Sequence, residues 1–164
     1  MKAALLVIDL QKQFFSLGEA CIGSLKSAIE YINEAIPLFR KKGLPIVVIQ
    51  HRNDSEGLVP GNANFEVHES VDLEEQDLRI VKTYSNSFTK TQLAEKLREL
   101  DVDTVIITGF CAEECVLSTY VGAQDNDLTP IILRSGIASD TPVRAKFVEE
   151  ISNVVSIGAL RKLL

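Results

Sequence analysis

Short apolar runs recur along the chain at the spacing of buried β-strands, and this pattern limits the fold more than any other feature. The apolar residues within each run are nearly continuous and do not alternate with polar ones, which is typical of strands buried on both faces. The predicted strands are 3–9, 45–50, 78–82, 103–109, 130–134 and 153–157.

The segments between these runs have helical spacing of their apolar residues. They are 24–42, 89–100, 113–126 and 141–152. Thr89 is a candidate N-cap of the second helix. Regular alternation of strands and helices predicts an α/β fold with an open, mostly parallel sheet covered by helices on both faces.

Residues 52–77 interrupt the alternation, because they are rich in Asn, Glu, Gly and His and contain no long periodic segment. Loops of this length are usually binding loops or lids. A chain of 164 residues is long enough for one domain with a full core and short for two. We therefore predict a single domain, 1–164.

The charge balance restricts the possible partners. The formal net charge is -6, which argues against nucleic acid or an anionic membrane as the main partner. The first apolar run is short and broken by Asp9, unlike a signal peptide or a membrane span. Three cysteines, an odd number, then favour free thiols in a reducing cytoplasm.

Polar side chains follow the ends of the first four predicted strands. Asp9 and Gln11 follow the first strand, His51 the second, Lys82 the third, and residues 109–115 the fourth. Ligands bind at the carboxyl ends of the strands in such sheets. An acid, a base and a thiol are therefore expected to meet at one edge.

Cys115 is a candidate nucleophile. It is expected in the first turn of a helix, where backbone N–H groups and a nearby ammonium, that of Lys82, would favour a thiolate. Asp9 could orient the lysine, take the thiol proton and pass it to a leaving group. The alternative is that a buried cysteine is only a small apolar residue, but the predicted neighbourhood of Asp9 and Lys82 favours the nucleophile.

Cys111 lies four residues earlier, so the two cysteines could be a redox couple or half of a zinc site. Redox motifs more often have two intervening residues, and a zinc site needs more ligands than this segment offers. We interpret Cys111 as a small residue whose backbone N–H lines an anion pocket.

A metal site near His51 is a further possibility, with Asp54 and His68 as conceivable partners. Neither has the tight spacing of a strong metal motif. A pocket-lining role for His51 is favoured, and we expect no metal and no cofactor.

Four quoted segments, "ALLVIDLQKQFF", "VIQH", "IVKTYSNSFTKTQL" and "VIITGFCAEECVLSTYVGAQDND", together resemble the isochorismatase-like cysteine hydrolase family over nearly the whole chain. The resemblance implies a Rossmann-like six-stranded parallel sheet and a catalytic triad of Asp9, Lys82 and Cys115. It also implies a cis peptide bond between Phe110 and Cys111, an oxyanion hole made by the backbone N–H groups of Cys111 and Cys115, and a homo-oligomer.

The sequence also departs from patterns of this family. Members that act on nicotinamide carry an Asp-x-His metal motif where this chain has residues 51–53, His-Arg-Asn, which puts metal-assisted nicotinamidase activity in doubt. Members that cleave isochorismate usually lack the cysteine found here at Cys115. Ser135 replaces an Asp of many members, and we interpret it as a structural variation near the pocket edge.

The resulting hypothesis is a hydrolase that cleaves the C–N bond of a small amide. One rival is a metal-free isochorismatase that uses Asp9 as the acid, and another is a non-catalytic or thiol-sensing protein that uses Cys111 and Cys115. Glu114 would favour an amine or a cationic group on the substrate. The expected pocket residues are Phe14, His51, Tyr84, Phe88, Phe110 and Glu114.

Overall fold

A computed structural model describes residues 2–164 and contains one six-stranded sheet in which every strand pairing is parallel. The strand order is β3-β2-β1-β4-β5-β6. The predicted Rossmann-like α/β architecture is confirmed, with boundaries that differ mostly by one or two residues. The strands are β1 Ala3–Ile8, β2 Ile46–His51, β3 Leu78–Lys82, β4 Thr104–Phe110, β5 Thr129–Ala138 and β6 Val154–Val155.

The α-helices among the described residues are α1 Glu19–Lys41, α2 Leu93–Glu99, α3 Leu117–Asp125, α4 Pro142–Glu150 and α5 Ile157–Leu163. Helix α2 is shorter than predicted, and Thr89 does not cap it, because its N-cap residue is Gln92. Helix α5 was missed. Its N-cap Ser156, whose hydroxyl accepts a hydrogen bond from the backbone N–H of Ala159, was the available signal.

Strand β1 lies at the centre of the sheet and faces two apolar layers. Leu5 and Val7 pack with α1 and α5 on one face, while Leu6 and Ile8 pack with α2, α3 and α4 on the other. All four side chains are buried. Each such side chain contributes about 1.5–3 kcal/mol relative to an exposed one, so the apolar run that predicted β1 also anchors both layers.

The crevice of the fold lies between β1 and β4, where the strand order reverses. The two strands approach closely at Gly109, which has φ +113°. A Cβ atom there would collide with the backbone of Ile8. Glycine at this position therefore lets β4 carry the segment after it up against the end of β1.

The long loop of residues 52–77 folds back toward the same edge. It contains two short 3₁₀ turns, Asp54–Glu56 and Ala63–Phe65, and a bridge between Gln11 and Val67. The buried Gln50 side chain donates a hydrogen bond to the carbonyl of Phe65. This loop is therefore held against the carboxyl ends of the strands, as expected for a binding loop.

No helix found within residues 2–164 has the length and the apolar character needed to cross a membrane.

Candidate active site

The ammonium group of Lys82 contacts the side chains of three other strand-end residues. Its Nζ lies 2.8 Å from Oδ2 of Asp9, 3.1 Å from Nδ1 of His51 and 3.3 Å from Sγ of Cys115. The side chains of Lys82 and Asp9 are 0% and 1% exposed. The expected convergence of an acid, a base and a thiol at one edge is present, with Lys82 at its centre.

Cys115 lies in a π-helical turn, Ala112–Val116, which precedes α3. The backbone N–H of Val116 donates to the carbonyl of Cys111 across this wider turn. Sequence periodicity predicted Cys115 in the first turn of an ordinary α-helix. A π-helical turn contains one extra residue, and periodicity does not reveal such a residue at the start of a helix. π-Turns of this kind are frequent at functional sites.

The environment of Cys115 opposes the thiolate that the sequence suggested. Burial, together with the negative charge of Asp9, raises the pKa of the Cys115 thiol to about 12, although Lys82 acts in the opposite direction. A thiol whose pKa is raised in this way needs a base to become a nucleophile.

Asp9 is placed to be that base. Burial raises the pKa of its carboxyl group, and the contacts with Lys82 and the Cys115 thiol counter this shift. Neither of its oxygens has a well-aligned hydrogen-bond donor among residues 2–164, although Lys82 is at ion-pair distance. The carboxylate therefore keeps acceptor capacity for a proton from sulfur.

The peptide bond between Phe110 and Cys111 is cis, as the family resemblance implied. The sulfur of Cys111 points into a separate polar cluster, where its S–H donates to Oε2 of Glu113 at 3.0 Å. Oε1 of Glu113 accepts hydrogen bonds from Ser139 and Arg144. The members of this cluster are distant along the chain, so no sequence pattern predicted it.

The thiol of Cys111 is unsuited to redox sensing. Burial, followed by the hydrogen bond and charge of Glu113, raises its pKa to about 12. Redox-sensing cysteines have the opposite properties, a low pKa and exposure to solvent. The interpretation of Cys111 as a residue with an inert sulfur agrees with this geometry.

A cavity of about 220 Å³ opens above Cys115. The rings of Phe14 and Phe110 form an aromatic wall, with centroids 5.0 Å apart. Four of the six expected pocket residues are present in this lining. The lining residues are Asp9, Phe14, His51, Asn53, Glu56, Leu58, Ser85, Phe110, Cys111, Glu114 and Cys115.

Tyr84 and Phe88 do not line the cavity, contrary to expectation. Tyr84 is 44% exposed, and its hydroxyl accepts a hydrogen bond from Lys90. Phe88 is buried in the apolar layer beneath the sheet. Their places are taken by Ser85 and by loop residues, which were missed because the fold of the loop does not follow from its composition.

The sequence model of the isochorismatase domain matches residues 3–151, most of the chain. The chain belongs to the isochorismatase family.

Relatives and solved structures agree with this assignment. The isochorismatase family protein YddQ of Bacillus subtilis is 30% identical over 144 residues, which cover 86% of this chain and 80% of YddQ. An isochorismatase-like hydrolase of Alkaliphilus metalliredigens has a TM-score of 0.88 at 24% identity and covers 99% of each chain. N-carbamoylsarcosine amidase of Thermoplasma acidophilum has a TM-score of 0.82 at 24% identity, covering 96% of this chain and 97% of that one.

Asp54 and His68, the conceivable metal partners of His51, make other contacts. Asp54 pairs with Arg52 on the surface, and His68 stacks on the ring of Phe15. The side-chain oxygen of Asn53 accepts hydrogen bonds from Ser55. These residues therefore do not form a metal site with His51.

Asp9, His51 and Cys115 do have potential ligand atoms within 4.8 Å of one another. Lys82 Nζ contacts all three of these side chains, so a cation already neutralises the group. A metal ion placed among them would be repelled by the ammonium. These three side chains therefore fit a lysine-centred arrangement better than a metal centre.

Ser135 was expected near the pocket edge, but it lies elsewhere. It lies in an irregular part of β5 with φ +63°, and its backbone N–H donates to Glu149. It is absent from the cavity lining. This hydrogen bond joins β5 to the end of α4.

Proposed function

We propose that this protein hydrolyses the C–N bond of a small amide through a thioester on Cys115. The observation that carries the proposal is the contact of one buried ammonium, Lys82, with both the Asp9 carboxylate and the Cys115 sulfur. This arrangement joins a nucleophile to its base at the floor of a cavity.

The first step couples attack to proton transfer. As Cys115 Sγ forms a bond to the amide carbon, its proton passes to Asp9, and the raised pKa of the thiol makes this transfer necessary. Lys82 stabilises the sulfur and the carboxylate throughout. The negative charge on the carbonyl oxygen is placed at the backbone N–H groups of Cys111 and Cys115.

Collapse of this intermediate breaks the C–N bond. Asp9 gives its proton to the departing nitrogen, which leaves as an amine or ammonia, and a thioester remains on Cys115. Water then attacks the thioester and gives a proton to Asp9. That proton returns to sulfur as the acid is released, so the enzyme ends each cycle unchanged.

The cavity favours a small substrate without negative charge. Its volume is about 220 Å³, and no lysine or arginine is among its lining residues. Glu56 and Glu114 at its mouth would repel an anion and attract a cation. These features disfavour isochorismate, which carries two carboxylates. The fold is shared with an N-carbamoylsarcosine amidase, which supports amide hydrolysis.

A panel of small neutral and cationic amides tests the proposal through release of ammonia or amine. We expect turnover of at least one amide and an acyl adduct on Cys115 in acid-quenched samples by peptide mass mapping. Cys115→Ala should lose roughly 10⁴-fold or more of the activity. The matched control is Cys21→Ala, since Cys21 is a buried thiol of α1 outside the cavity.

Full activity in Cys115→Ala would contradict covalent catalysis. Hydrolysis of isochorismate that survives Cys115→Ala and is lost in Asp9→Asn would favour the rival reaction, in which Asp9 acts as an acid on a vinyl ether.

A further inference from the structure

His51 contacts the catalytic lysine through one ring nitrogen. Lys82 Nζ lies 3.1 Å from Nδ1 of His51. An ammonium group can only donate hydrogen bonds, so Nδ1 is the acceptor, and a neutral imidazole then carries its proton on Nε2. With the contacts to Asp9 and Cys115, His51 provides a partner for the third proton of the ammonium.

A buried amide holds the backbone of His51 from both sides. The backbone N–H of His51 donates to Oε1 of Gln11 at 2.7 Å, and Nε2 of Gln11 donates to the carbonyl of His51 at 2.9 Å. The Gln11 residue is 0% exposed. This pair of hydrogen bonds ties the end of β2 to the segment after β1, so the position from which the ring projects is fixed.

Nε2, the other ring nitrogen of His51, has different surroundings. Among residues 2–164, the hydrogen bond of the His51 ring is made by Nδ1 and none is made by Nε2. The half-buried ring lines the cavity above Cys115. Burial, followed by the positive charge of Lys82, lowers the pKa of the ring, which keeps it neutral. A half-buried N–H donor in a cavity is a group that a ligand can satisfy.

We propose that His51 is a positioning residue whose Nδ1 fixes the Lys82 ammonium between Asp9 and Cys115, and whose Nε2–H donates a hydrogen bond to the substrate. The second part rests on the proposed function. In that reaction the scissile carbonyl oxygen goes to backbone N–H groups, so the His51 donor needs a second acceptor. The substrate class is therefore a small amide with a further carbonyl, ether or ring-nitrogen acceptor.

Three substitutions separate the two roles. His51→Asn places an amide oxygen near the position of Nδ1 and removes the Nε2 donor. His51→Gln places an amide N–H near the position of Nε2 and removes the near acceptor. His51→Leu removes both. The matched control is His68→Asn, since His68 is the second of the two histidines and stacks on Phe15 outside the cavity.

The first readout needs no substrate. The rate of Cys115 alkylation by iodoacetamide at pH 9, read by peptide mapping, reports how well Lys82 favours the thiolate. We expect His51→Asn to stay within about twofold of the natural protein, and His51→Gln and His51→Leu to fall about tenfold, as for loss of a hydrogen bond to a charged group. A structural role alone would not be rescued by asparagine and lost with glutamine.

The second readout is KM for an amide that the protein hydrolyses. We expect KM to rise about tenfold in His51→Asn, which lacks the donor, and to stay near the natural value in His51→Gln. Equal alkylation rates in the natural protein and all three variants would overturn the positioning role. An unchanged KM in His51→Asn would overturn the substrate contact.

The two proposals fail in different ways. If no amide is hydrolysed, the proposed function fails, while the alkylation rates still decide the role of His51 toward Lys82. Thermal unfolding of each variant shows that it is folded, and the polar pair His51→Asn and His51→Gln decides the question even if His51→Leu does not fold.

Discussion

Cys111 and Cys115 are four residues apart and have similar immediate surroundings. The pKa of each thiol is raised to about 12, and each lies beside a carboxylate that is paired with a cation. The cations differ in placement. Lys82 is fully buried and touches the sulfur of Cys115, whereas Arg144 is 54% exposed and contacts Glu113.

In the proposed mechanism, the acidity of a thiol does not by itself decide which cysteine attacks the substrate. The Glu113 carboxylate already accepts hydrogen bonds from Ser139 and Arg144, so it is a poor base for Cys111. Asp9 retains acceptor capacity and adjoins the cavity. A carboxylate with free acceptor capacity and a contacting ammonium distinguish Cys115 from Cys111.

The largest difference between the two clusters should be in the rate of hydrolysis after Asp9 or Glu113 is neutralised. Asp9→Asn removes the base and should lower hydrolysis by roughly 10³-fold or more, within or above the usual range for general acid–base catalysis. Glu113→Gln should lower it by less than about tenfold, because it loosens only the Cys111 cluster. Steady-state rates on the same amide measure both. Equal losses would mean that the two clusters are not distinct in function.

Replacing the two cations, Lys82 and Arg144, should change the free energy of unfolding by different amounts. Lys82→Met leaves the buried Asp9 carboxylate without its partner, and we expect a loss of about 3–5 kcal/mol in the free energy of unfolding at pH 7. Arg144→Met removes an exposed partner and should leave stability unchanged within error. Urea denaturation gives both values. A stable Lys82→Met protein would show that Asp9 is protonated or solvated in the folded state.

Alkaline pH should weaken the folded state through the thiols of both clusters. The folded protein holds these protons up to about 12, whereas the unfolded chain releases them near the ordinary value of 9.0. Stability should therefore be unaffected below pH 9 and fall as pH rises from about 9 to about 12. Urea denaturation across this range measures the fall, which should be smaller in Cys111→Ser and Cys115→Ser. Parallel curves for all three proteins would contradict the raised pKa values.

The smallest effect should come from a carboxylate at the cavity mouth. Glu114→Gln should raise KM for a cationic amide about twofold to fivefold, and leave KM for a neutral amide unchanged, since an exposed charge pair is worth about 0.2–1 kcal/mol. The matched variant Glu113→Gln should show no such charge preference, because Glu113 does not line the cavity. The ratio of the two KM values is the measurement, and an unchanged ratio in Glu114→Gln would remove Glu114 from substrate selection.

The positions of Asp9, His51 and Lys82 at one edge could be predicted because apolar runs mark strands and parallel strands end at the same edge. The direction of a side chain that follows a strand could not be predicted. Tyr84 and Phe88 both follow Lys82 closely, yet one points to solvent and the other into the core. Homo-oligomerisation and a cytoplasmic location stay predictions.

The acidity of Cys115 could not be predicted for a related reason. Sequence spacing suggested a helix N-terminus and a nearby lysine, both of which stabilise a thiolate. The degree of burial and the charge of Asp9 act in the opposite direction and are larger. Such a balance depends on distances that the sequence does not contain.

The irregular part of β5 contains more residues than the part of β4 that it faces. Ile107 and Gly109, two residues apart on β4, pair with Ile132 and Ile137, five residues apart on β5. The extra residues, which include Ser135, are taken up locally, and the strand then resumes pairing just before Ser139. The regular pairing after the irregular stretch fixes where β5 ends, and the hydroxyl of Ser139, the next residue, donates a hydrogen bond to Glu113. The end of β5 thus supports the polar cluster beside Cys111, although the two segments are far apart in the sequence.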